Sequence, residues 1–511
     1  MTEHYDVIVI GSGAGGGTLT HALAPTGKKV LLLERGGWYP REKENWSSMS
    51  VWGDLRYRNA GRWVDQHGKE FNPKQHYYVG GNTKVYGAVL FRMRERDFHD
   101  VYHVDGVSPA WPLTYGDFEP WYEKAERLYH VHGERGVDPL DPPGATYSYP
   151  AMSHEARIEQ LAHDLKGAGL TPFALPLGIM IDEQNPGTSP CIRCSTCDGF
   201  ACLVKAKADA QVVCVEPALR HPNVTLHTNS RVVRLETSPD GRSVSKVIVD
   251  HEGEREEYTA DVVALSAGAI NSAALLLSSA NERHPHGLGN SSGMVGRNLM
   301  LHNNSSLIAI SKTPNPTVFE KTLGINDYYY GDGEWEFPLG AMQMLGKSDA
   351  FTISLDAPDA DDPADLAAHS LDFWLTTEDL PLSSNRVEVE RSGRIKLTYE
   401  PTNLAAHERL VAKFRGFLEP IQCTQQVIDR STYLGGRLGI SGVAHQNGTA
   451  RFGADPATSA LDVTCRMHDV DNLYVVDSSF FCSSSAVNPT LTIIANALRV
   501  ADHLTERLGA R

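Results

Sequence analysis

The sequence predicts an α/β protein, α+β overall, in which a parallel-sheet domain is joined to a second, mainly antiparallel-sheet domain. Three observations support this fold class. A strand, a glycine-rich turn, a helix and a second strand follow one another between Tyr5 and Glu34. A second small-residue turn between a strand and a helix occurs at Ser266–Ser272. From about Asn303 to Leu438, short strand-like runs replace the alternation of strands and helices.

The first strand–turn–helix unit carries a glycine pattern with a specific physical meaning. Asp6–Ile10 and Lys29–Leu33 are apolar runs of strand length. Gly11, Gly13 and Gly16 form G-x-G-x-x-G directly after the first run. The first glycine permits a tight turn, the second lets the backbone approach a pyrophosphate, and the third lets helix and strand pack closely.

The helix after this turn should run for about three turns and end near Pro25 and Gly27. Its N-terminus would offer unpaired N–H groups and a positive dipole end to phosphates. Glu34, after the second strand, can accept hydrogen bonds from a ribose 2′-OH, which disfavours a 2′-phosphate. The combined pattern predicts a dinucleotide site, and by itself it leaves FAD and NAD open.

Length and composition limit the classes of protein. A chain of 511 residues is too long for one core, so we expect two domains. A net charge of −16 argues against nucleic acid and anionic membrane surfaces as partners. No apolar run approaches the roughly 20 residues of a membrane span. The chain enters its first strand without a basic and apolar leader, so we expect a cytoplasmic protein.

Three segments before residue 135 lead to different predictions. The stretch from Arg35 to about Gln75 has no period and predicts an irregular excursion. Gly80 and Gly81 precede small polar residues, which favours close backbone approach to the second half of a cofactor, with a simple turn as the alternative. Asp117 to about His130 predicts a helix with one packed face.

Four cysteines follow the spacing C-x2-C-x2-C-x4-C, at Cys191, Cys194, Cys197 and Cys202. This is close to an iron–sulfur ligand run. It differs from the bacterial ferredoxin spacing by one residue before the last Cys, and the following Pro is missing. A zinc site is a second alternative. We favour a loop held by buried thiols, without metal, because the ligand spacing is broken.

The middle of the chain returns to strands. The apolar runs that predict strands of the first domain are Val224–His227, Val232–Leu235, Val247–Asp250 and Asp261–Leu265. Those that predict strands of one antiparallel sheet in the second domain are Leu371–Thr376, Arg386–Glu390 and Ile395–Tyr399. Asp356–Asp365 is acidic and predicts a loop or lid. The aromatic and polar side chains of Asn326–Tyr330 would suit a polyhydroxylated substrate, and core packing explains them equally well.

The C-terminal part contains the second informative group of motifs. His445 lies in H-x-x-G-T, a turn with glycine. Asn472–Asp477 predicts a strand that ends in a carboxylate, and Ser478–Ser485 predicts a loop. Asn488, Pro489 and Thr490 open a helix that should run to about Leu508.

With these motifs, the chain resembles the glucose–methanol–choline (GMC) oxidoreductase family of flavoproteins over nearly its whole length. The motifs that carry the resemblance are Gly11–Gly16 with Glu34, Gly80–Gly87, Trp111–Tyr115, Ser266–Asn271, His445 in H-x-x-G-T, Asp477–Ser479 and Asn488–Thr490. The resemblance implies FAD rather than NAD. It also implies a discontinuous Rossmann-like FAD-binding domain, residues 1–100, 195–302 and 440–511, and a substrate-binding domain, residues 101–194 and 303–439.

The resemblance further implies which residues meet the cofactor. Those expected to contact FAD are Gly11, Gly13, Ala14, Gly16, Glu34, Arg35, Gly81, Asn82, Thr83, Val85, Val232, Ala267, Gly268, Asp477, Asn488, Pro489 and Thr490. His445 and Asn488 match the catalytic pair of the family. Some relatives attach FAD covalently through a His four residues after a Gly-Gly pair. That position is Val85 here, which has no nucleophile, so we expect non-covalent FAD.

Among subgroups of the family, the chain resembles bacterial pyranose oxidases and glycoside 3-oxidases. The features that carry this resemblance are Asn488, the cysteine segment 191–202 and the stretch Lys321–Tyr330. This implies oxidation of a secondary hydroxyl, at C2 or C3, of a pyranose or glycoside, with His445 as the base and O2 or another acceptor for the electrons. His is the natural base because its pKa lies near neutral pH. The alternatives are oxidation of a non-sugar alcohol, a flavin-dependent hydroxynitrile-type lyase and a non-catalytic flavoprotein.

Overall fold

The computed structural model describes residues 3–142, 144–430 and 445–510. The strands in these ranges are β1 Glu3–Ile10, β2 Val30–Leu33, β3 Trp63–Asp65, β4 Glu70–Phe71, β5 Val101–His103, β6 Gly106–Ser108, β7 Val131–Gly133, β8 Tyr149–Pro150, β9 Pro172–Ala174, β10 Leu177–Gly178, β11 Val224–His227, β12 Ser230–Thr237, β13 Val244–His251, β14 Glu254–Leu265, β15 Asn303–Ser311, β16 Leu323–Ile325, β17 Ala341–Met344, β18 Ser370–Thr377, β19 Arg386–Val389, β20 Ile395–Thr398, β21 Cys423–Asp429 and β22 Leu473–Val475.

The α-helices in the same ranges are α1 Ala14–Leu23, α2 Tyr115–Leu128, α3 Ala156–Gly167, α4 Glu216–Ala218, α5 Ala269–Ser278, α6 Ala350–Asp356, α7 Pro363–His369, α8 Leu404–Gly416 and α9 Thr490–Arg507. Short 3-10 helices cover Ala24–Thr26, Lys43–Trp46, Gly81–Lys84, Glu95–Phe98 and Ser478–Phe480, and π-helical turns cover Met49–Gly53 and Gln211–Val215. No helix in the described part of the chain is long and apolar enough to cross a bilayer.

The first sheet has seven strands in the order β11-β2-β1-β14-β13-β12, with β22 also paired to β14. The pairs among β11, β2, β1, β14 and β22 are parallel, whereas β13 is antiparallel to both of its neighbours. Ile10, Leu265 and Val475 are in register, so three carboxyl ends meet at one edge. Ligands of open α/β sheets bind at this edge, which is where the glycine-rich turn lies.

Most elements predicted for this domain are confirmed. The first helix ends in a 3-10 turn at Ala24–Thr26, and Gly27 then adopts φ +75°. The predicted packed helix is α2, whose Tyr122 and Ala125 are fully buried. The run Val247–Asp250 lies in β13, which pairs antiparallel with β12. The C-terminal helix α9 begins at Thr490, with Pro489 as its N-cap.

The second sheet has six strands in the order β21-β15-β18-β17-β16-β9, and each neighbouring pair is antiparallel. Along β18 the apolar residues Leu371, Phe373 and Leu375 alternate with polar or aromatic ones. They join the core beneath α8, where the rings of Phe373 and Phe414 are 5.0 Å apart. The alternate residues of β18 therefore face the opposite side of the sheet.

The expectation of one antiparallel sheet was wrong for two runs. β19 and β20, the strands of Arg386–Glu390 and Ile395–Tyr399, form a four-stranded sheet with β3 and β4, in which β20 runs parallel to β3. Their apolar side chains, Val387 and Leu397, share a core with Trp63 and α5. Burial of this face against α5 draws the two strands away from β18.

The structure also revises two expectations about irregular segments. Asp356–Asp365 is not a plain loop, because it spans the end of α6 and the start of α7, which the Asp362 side chain caps. The stretch before Gln75 contains the short strands β3 and β4. The domain limits stay a prediction. Pairing of β9 with β16 joins two segments of the predicted substrate-binding domain, 101–194 and 303–439. Pairing of β20 with β3, however, joins 303–439 to segment 1–100 of the predicted FAD-binding domain.

Candidate active site

The three glycines of the first turn have different surroundings. Gly11 has φ +99°, and a Cβ there would collide with the carbonyl oxygen of Ser266. A Cβ on Gly16 would collide with the carbonyl oxygen of Gly11, so this glycine allows α1 to pack on β1. A Cβ on Gly13 would meet no protein atom within 4 Å. Gly13 is therefore bare toward open space, as a close approach by a ligand requires.

Glu34 ties the first turn to the second glycine segment. Its carboxylate is 5% exposed and accepts hydrogen bonds from Ser12 N at 3.1 Å, from Ser12 Oγ and from Gly36 N at 2.9 Å. The hydroxyl of Ser12 in turn accepts from Gly80 N at 3.0 Å. Burial raises the pKa of the Glu34 carboxyl, and these hydrogen bonds oppose that rise.

The segment after Gly80 is a fixed 3-10 turn. Thr83 Oγ1 donates to Gly80 O and accepts from Ala210 N at 3.0 Å. Asn82 donates to Gln75 Oε1 at 2.8 Å and accepts from His76 N at 3.0 Å. These contacts hold the backbone of the turn against the first glycine turn, since a Cβ on Gly81 would lie 3.1 Å from the Cα of Gly13.

Asp477 joins the ends of β14 and β22. One carboxylate oxygen accepts from Gly268 N at 2.9 Å and from the Ser272 hydroxyl, and the other accepts from Ser479 N at 2.9 Å and from Ser479 Oγ. Burial raises the pKa of this carboxyl, and the four donors oppose the rise. The carboxylate thereby fixes the two loops that follow the strand ends.

One cavity of about 820 Å³ connects these features. The residues expected to contact a dinucleotide that line it are Gly11, Gly13, Ala14, Glu34, Arg35, Gly81, Asn82, Thr83, Val85, Val232, Ala267, Gly268, Asp477, Asn488, Pro489 and Thr490. Gly16 does not line the cavity, because it is packed between helix and strand. The first turn, the second glycine segment and the start of α9 thus face one continuous space.

Both members of the expected catalytic pair, His445 and Asn488, also line this cavity. Asn488 immediately precedes the N-cap of α9, so the unpaired N–H groups of the first turn of that helix lie beside it. His445 contacts a second histidine, His302, through their Nδ1 atoms at 2.9 Å. Burial, and then the charge of His302 when protonated, lower the pKa of His445 well below its usual value. The imidazole is therefore unprotonated at neutral pH.

A face of the second sheet completes the cavity near His445. Trp374 lies opposite Gln343 on β17, and Thr376 lies opposite Asn304 on β15. Asn304, Gln343 and Trp374 all line the cavity. The Trp374 indole N–H donates to Thr376 Oγ1, which donates to Asn304 Oδ1 at 2.8 Å. The ring of Trp374 is 6.3 Å from that of His445, so an aromatic surface and two amides flank the histidine.

Sequence reasoning missed this face and His302. The alternation of Leu371, Phe373 and Leu375 could have shown that Trp374 points away from the apolar side. The aromatic run Asn326–Tyr330, for which substrate contact and core packing were equal alternatives, lies elsewhere. Tyr329 and Tyr330 donate to the Asp97 carboxylate at 2.8 and 2.9 Å, and neither lines the cavity.

The cysteine segment forms an irregular loop beside the cavity. Asp198 and Gly199, which follow Cys197, line the cavity, and the Asp198 carboxylate forms a buried ion pair with Lys321 at 2.9 Å. Burial raises the pKa of the Cys191 thiol to about 12. In residues 3–142, 144–430 and 445–510, no group of three or more metal-ligating side chains is placed to hold a metal ion.

The cavity fits FAD by its own geometry. A bare glycine at a helix start, a buried carboxylate at Glu34 and a second backbone turn at Gly81 line one space, and groups of these kinds suit the phosphates and ribose of a dinucleotide. The carboxylate of Asp477, which fixes the loops after β14 and β22, lines the same cavity. These residues would hold the cofactor.

Comparisons with known proteins agree with this arrangement. Two GMC oxidoreductase family models match residues 14–304 and 383–497. The chain is 31% identical to 6'''-hydroxyparomomycin C oxidase of Streptomyces lividus and 30% identical to paromamine 6'-oxidase of Streptomyces fradiae, each over 99% of this chain and 92% of the relative. The structure of pyridoxine 4-oxidase from Mesorbium loti shares the fold, with a TM-score of 0.69 and 18% identity over 98% of this chain and 99% of that one. Because the two family models together match most of the chain, and because the cavity is lined by both the glycine turn and a histidine, this protein belongs to the GMC oxidoreductases, the FAD-dependent enzymes that oxidise CH–OH groups.

Proposed function

We propose that this enzyme oxidises a hydroxyl group of a sugar or glycoside to a carbonyl, with His445 as the base and Asn488 as its partner. The observation that carries the proposal is that one cavity is lined by the glycine turn that would cradle the phosphates. The same cavity is lined by His445, Asn488 and the Trp374 sheet face. A substrate on that face would meet the base and the flavin together.

Each group has a definite task in the reaction. When bound, FAD supplies an acceptor, at N5, for the hydride that leaves the hydroxyl-bearing carbon. His445 is unprotonated at neutral pH because its pKa is lowered, so it is ready to take the hydroxyl proton. Asn488 has no titratable group and orients the hydroxyl by hydrogen bonds. The sugar product would be a carbonyl compound, and O2 or another acceptor would finally take up the two electrons.

The sheet face supports a sugar as the substrate. The indole of Trp374 offers a flat apolar surface, and the amides of Asn304 and Gln343 offer donors and acceptors beside it. A pyranose has apolar C–H faces and a rim of hydroxyls, which matches this combination. The Streptomyces relatives, named as oxidases of hydroxyparomomycin and paromamine, support a glycoside substrate as well.

Two positions on the sugar compete. Asn488, the partner expected in pyranose oxidases, favours a ring hydroxyl at C2 or C3. The name of paromamine 6'-oxidase favours the exocyclic carbon 6, because this relative covers nearly the whole chain. The chemistry at His445 is the same in both cases, and the depth at which the ring sits on Trp374 would decide between them.

The test is an anaerobic panel of monosaccharides, alkyl glycosides and paromamine-like aminoglycosides. We expect bleaching of the flavin with a sugar or glycoside, and NMR of the product then locates the carbonyl at C2, C3 or C6. Repeating the turnover with O2 and with a quinone identifies the electron acceptor. Bleaching by non-sugar alcohols alone would contradict the proposal.

The same experiment separates the lyase alternative. A lyase forms product without bleaching the flavin, whereas an oxidoreductase must reduce it once for each product. A chain that binds FAD and neither bleaches nor forms product with any member of the panel would point to a non-catalytic flavoprotein. Product formation that tracks bleaching one to one supports the oxidoreductase.

We further propose that FAD is bound non-covalently. The side chain of Val85 at the expected attachment position is apolar and lines the cavity. His76 also lines the cavity, and burial lowers its pKa to about 4. It is therefore the residue to replace in a control, because it is the imidazole nearest in sequence to the glycine pair.

A further inference from the structure

His302 is a buried residue whose contacts bear on the chemistry of His445. It lies after α5 in the chain, directly before the first residue of β15, and is 2% exposed. Its ring lies 4.9 Å from that of His445 at an interplanar angle of 81°. The two Nδ1 atoms are 2.9 Å apart, so a hydrogen bond between them requires one proton, carried by one of the two rings.

The other nitrogen of His302 shows which ring supplies that proton. Its Nε2 faces the carbonyl oxygen of Ser484 at 3.4 Å. A carbonyl oxygen only accepts, so the proton of the neutral His302 ring belongs on Nε2. Burial lowers the pKa of His302 to about 4, so at neutral pH the ring has no second proton. Nδ1 of His302 is then an acceptor.

The donor between the rings is therefore Nδ1–H of His445. With its one proton on Nδ1, the neutral His445 ring has its lone pair on Nε2. In the described part of the chain, no hydrogen bond occupies Nε2, and His445 lines the cavity. The lone pair is left for a group bound there.

We propose that His302 is a positioning residue that holds His445 in its Nδ1–H tautomer, so that Nε2 is the atom that takes the substrate's hydroxyl proton. The proposal rests on the function proposed above, in which His445 is the base. Ser484, His302 and His445 then form a relay of hydrogen bonds that points one lone pair at the cavity.

The relay also serves the charged state. When Nε2 of His445 gains the hydroxyl proton, Nδ1–H remains a donor to His302, and this contact stabilises the imidazolium. The Glu378 carboxylate lies near enough to His302 to favour positive charge on that ring. Glu378 is held by His103 at 3.1 Å, by Ser108 Oγ at 2.7 Å and by Ser485 N at 2.8 Å.

The test compares two variants of His302 by anaerobic stopped-flow reduction of the holoenzyme. His302→Leu removes the acceptor, and we expect the limiting rate of flavin reduction to fall about 10- to 100-fold, the effect of losing a hydrogen bond to a charged group. His302→Asn keeps an oxygen acceptor near the Nδ1 position and should recover most of that rate. The Kd for the sugar should change less than about threefold in both, because His302 does not line the cavity.

His407→Leu is the matched control. His407 is also buried, and its nitrogens contact Ser305 Oγ at 2.8 Å and Thr377 Oγ1 at 2.9 Å rather than His445. We expect a comparable loss of thermal stability with a reduction rate near that of the wild type. A purely structural role of His302 would instead make the leucine and asparagine variants equally slow.

The tautomer itself can be observed. Histidine labelled with 15N in the ring distinguishes N–H from unprotonated ring nitrogens, and the His445→Ala spectrum assigns the signal. We expect the proton on Nδ1 in the oxidised holoenzyme, and a proton on Nε2 would overturn the proposal. If His445→Ala reduces at the wild-type rate, the proposed base is wrong. If His445→Ala is slow but His302→Leu reduces the flavin at the wild-type rate, His445 is still the base and the positioning role of His302 is wrong.

Discussion

Gly13 and Gly16 belong to one glycine motif, yet the structure predicts opposite outcomes for the same substitution. Gly13 has φ −69° and ψ −162°, an extended conformation that alanine adopts, and its added Cβ would meet no protein atom within 4 Å. At Gly16 the added Cβ would collide with the Gly11 carbonyl oxygen and lie 3.0 Å from the Cβ of Ser266. The first substitution fills ligand space and the second fills protein space.

The magnitudes follow from these surroundings. Gly13→Ala should leave the FAD-free protein as stable as the wild type, or about 0.4–1 kcal/mol more stable, because alanine restricts the unfolded chain. Its methyl group would lie where a pyrophosphate approaches, and overpacking by one methyl costs about 1–3 kcal/mol, or about 5- to 150-fold in the Kd for FAD. Gly16→Ala should lower the free energy of unfolding by about 1–3 kcal/mol or more, since backbone must move.

The assay measures the two quantities separately. Apoprotein is unfolded thermally and chemically, and FAD is titrated into it while flavin fluorescence is followed. We expect weak FAD binding with normal apoprotein stability for Gly13→Ala, and reduced apoprotein stability for Gly16→Ala. If Gly13→Ala binds FAD as tightly as the wild type, no cofactor group approaches that backbone, and the assignment of the cradle is wrong.

Other predictions concern the remaining parts of the site. His445→Ala should keep FAD bound and slow flavin reduction by roughly 10²–10⁴-fold, and reduction at the wild-type rate would exclude it as the base. A base must be unprotonated, and the pKa of His445 is well below its usual value of 6.5. The rate of flavin reduction should therefore be constant above pH 6.5 and fall only in more acidic solution. A pH profile of that rate with its midpoint near 6.5 would contradict this. Trp374→Ala should raise the Kd for the sugar by about tenfold, the loss of about 1.4 kcal/mol, whereas Tyr330→Phe, outside the cavity, should not. After acid precipitation the yellow colour should stay in the supernatant for the wild type and for His76→Ala alike, and colour in the wild-type pellet alone would mean attachment at His76.

Much of the cofactor side was determined by sequence alone, because its signals are local. The turn at Gly11–Gly16, the strand before it and the carboxylate of Glu34 lie within 30 residues, and backbone sterics at each glycine dictate the conformation. The helix after Pro489 was likewise predictable from its N-terminal residues. The order along the chain was sufficient to place these elements at one sheet edge, since parallel strands end together.

The substrate side was decided by tertiary structure, because its contacts join distant residues. Trp374, Gln343 and Asn304 share a face only through the pairing of β18 with β17 and β15. Ile395–Tyr399 could be recognised as a strand, but its partner β3 lies more than 300 residues earlier, and burial against α5 selected it. The contact of His302 with His445 spans 143 residues. Local propensity contains no information about such pairs; they form because the two sheets, once packed, bring their edges to the same cavity.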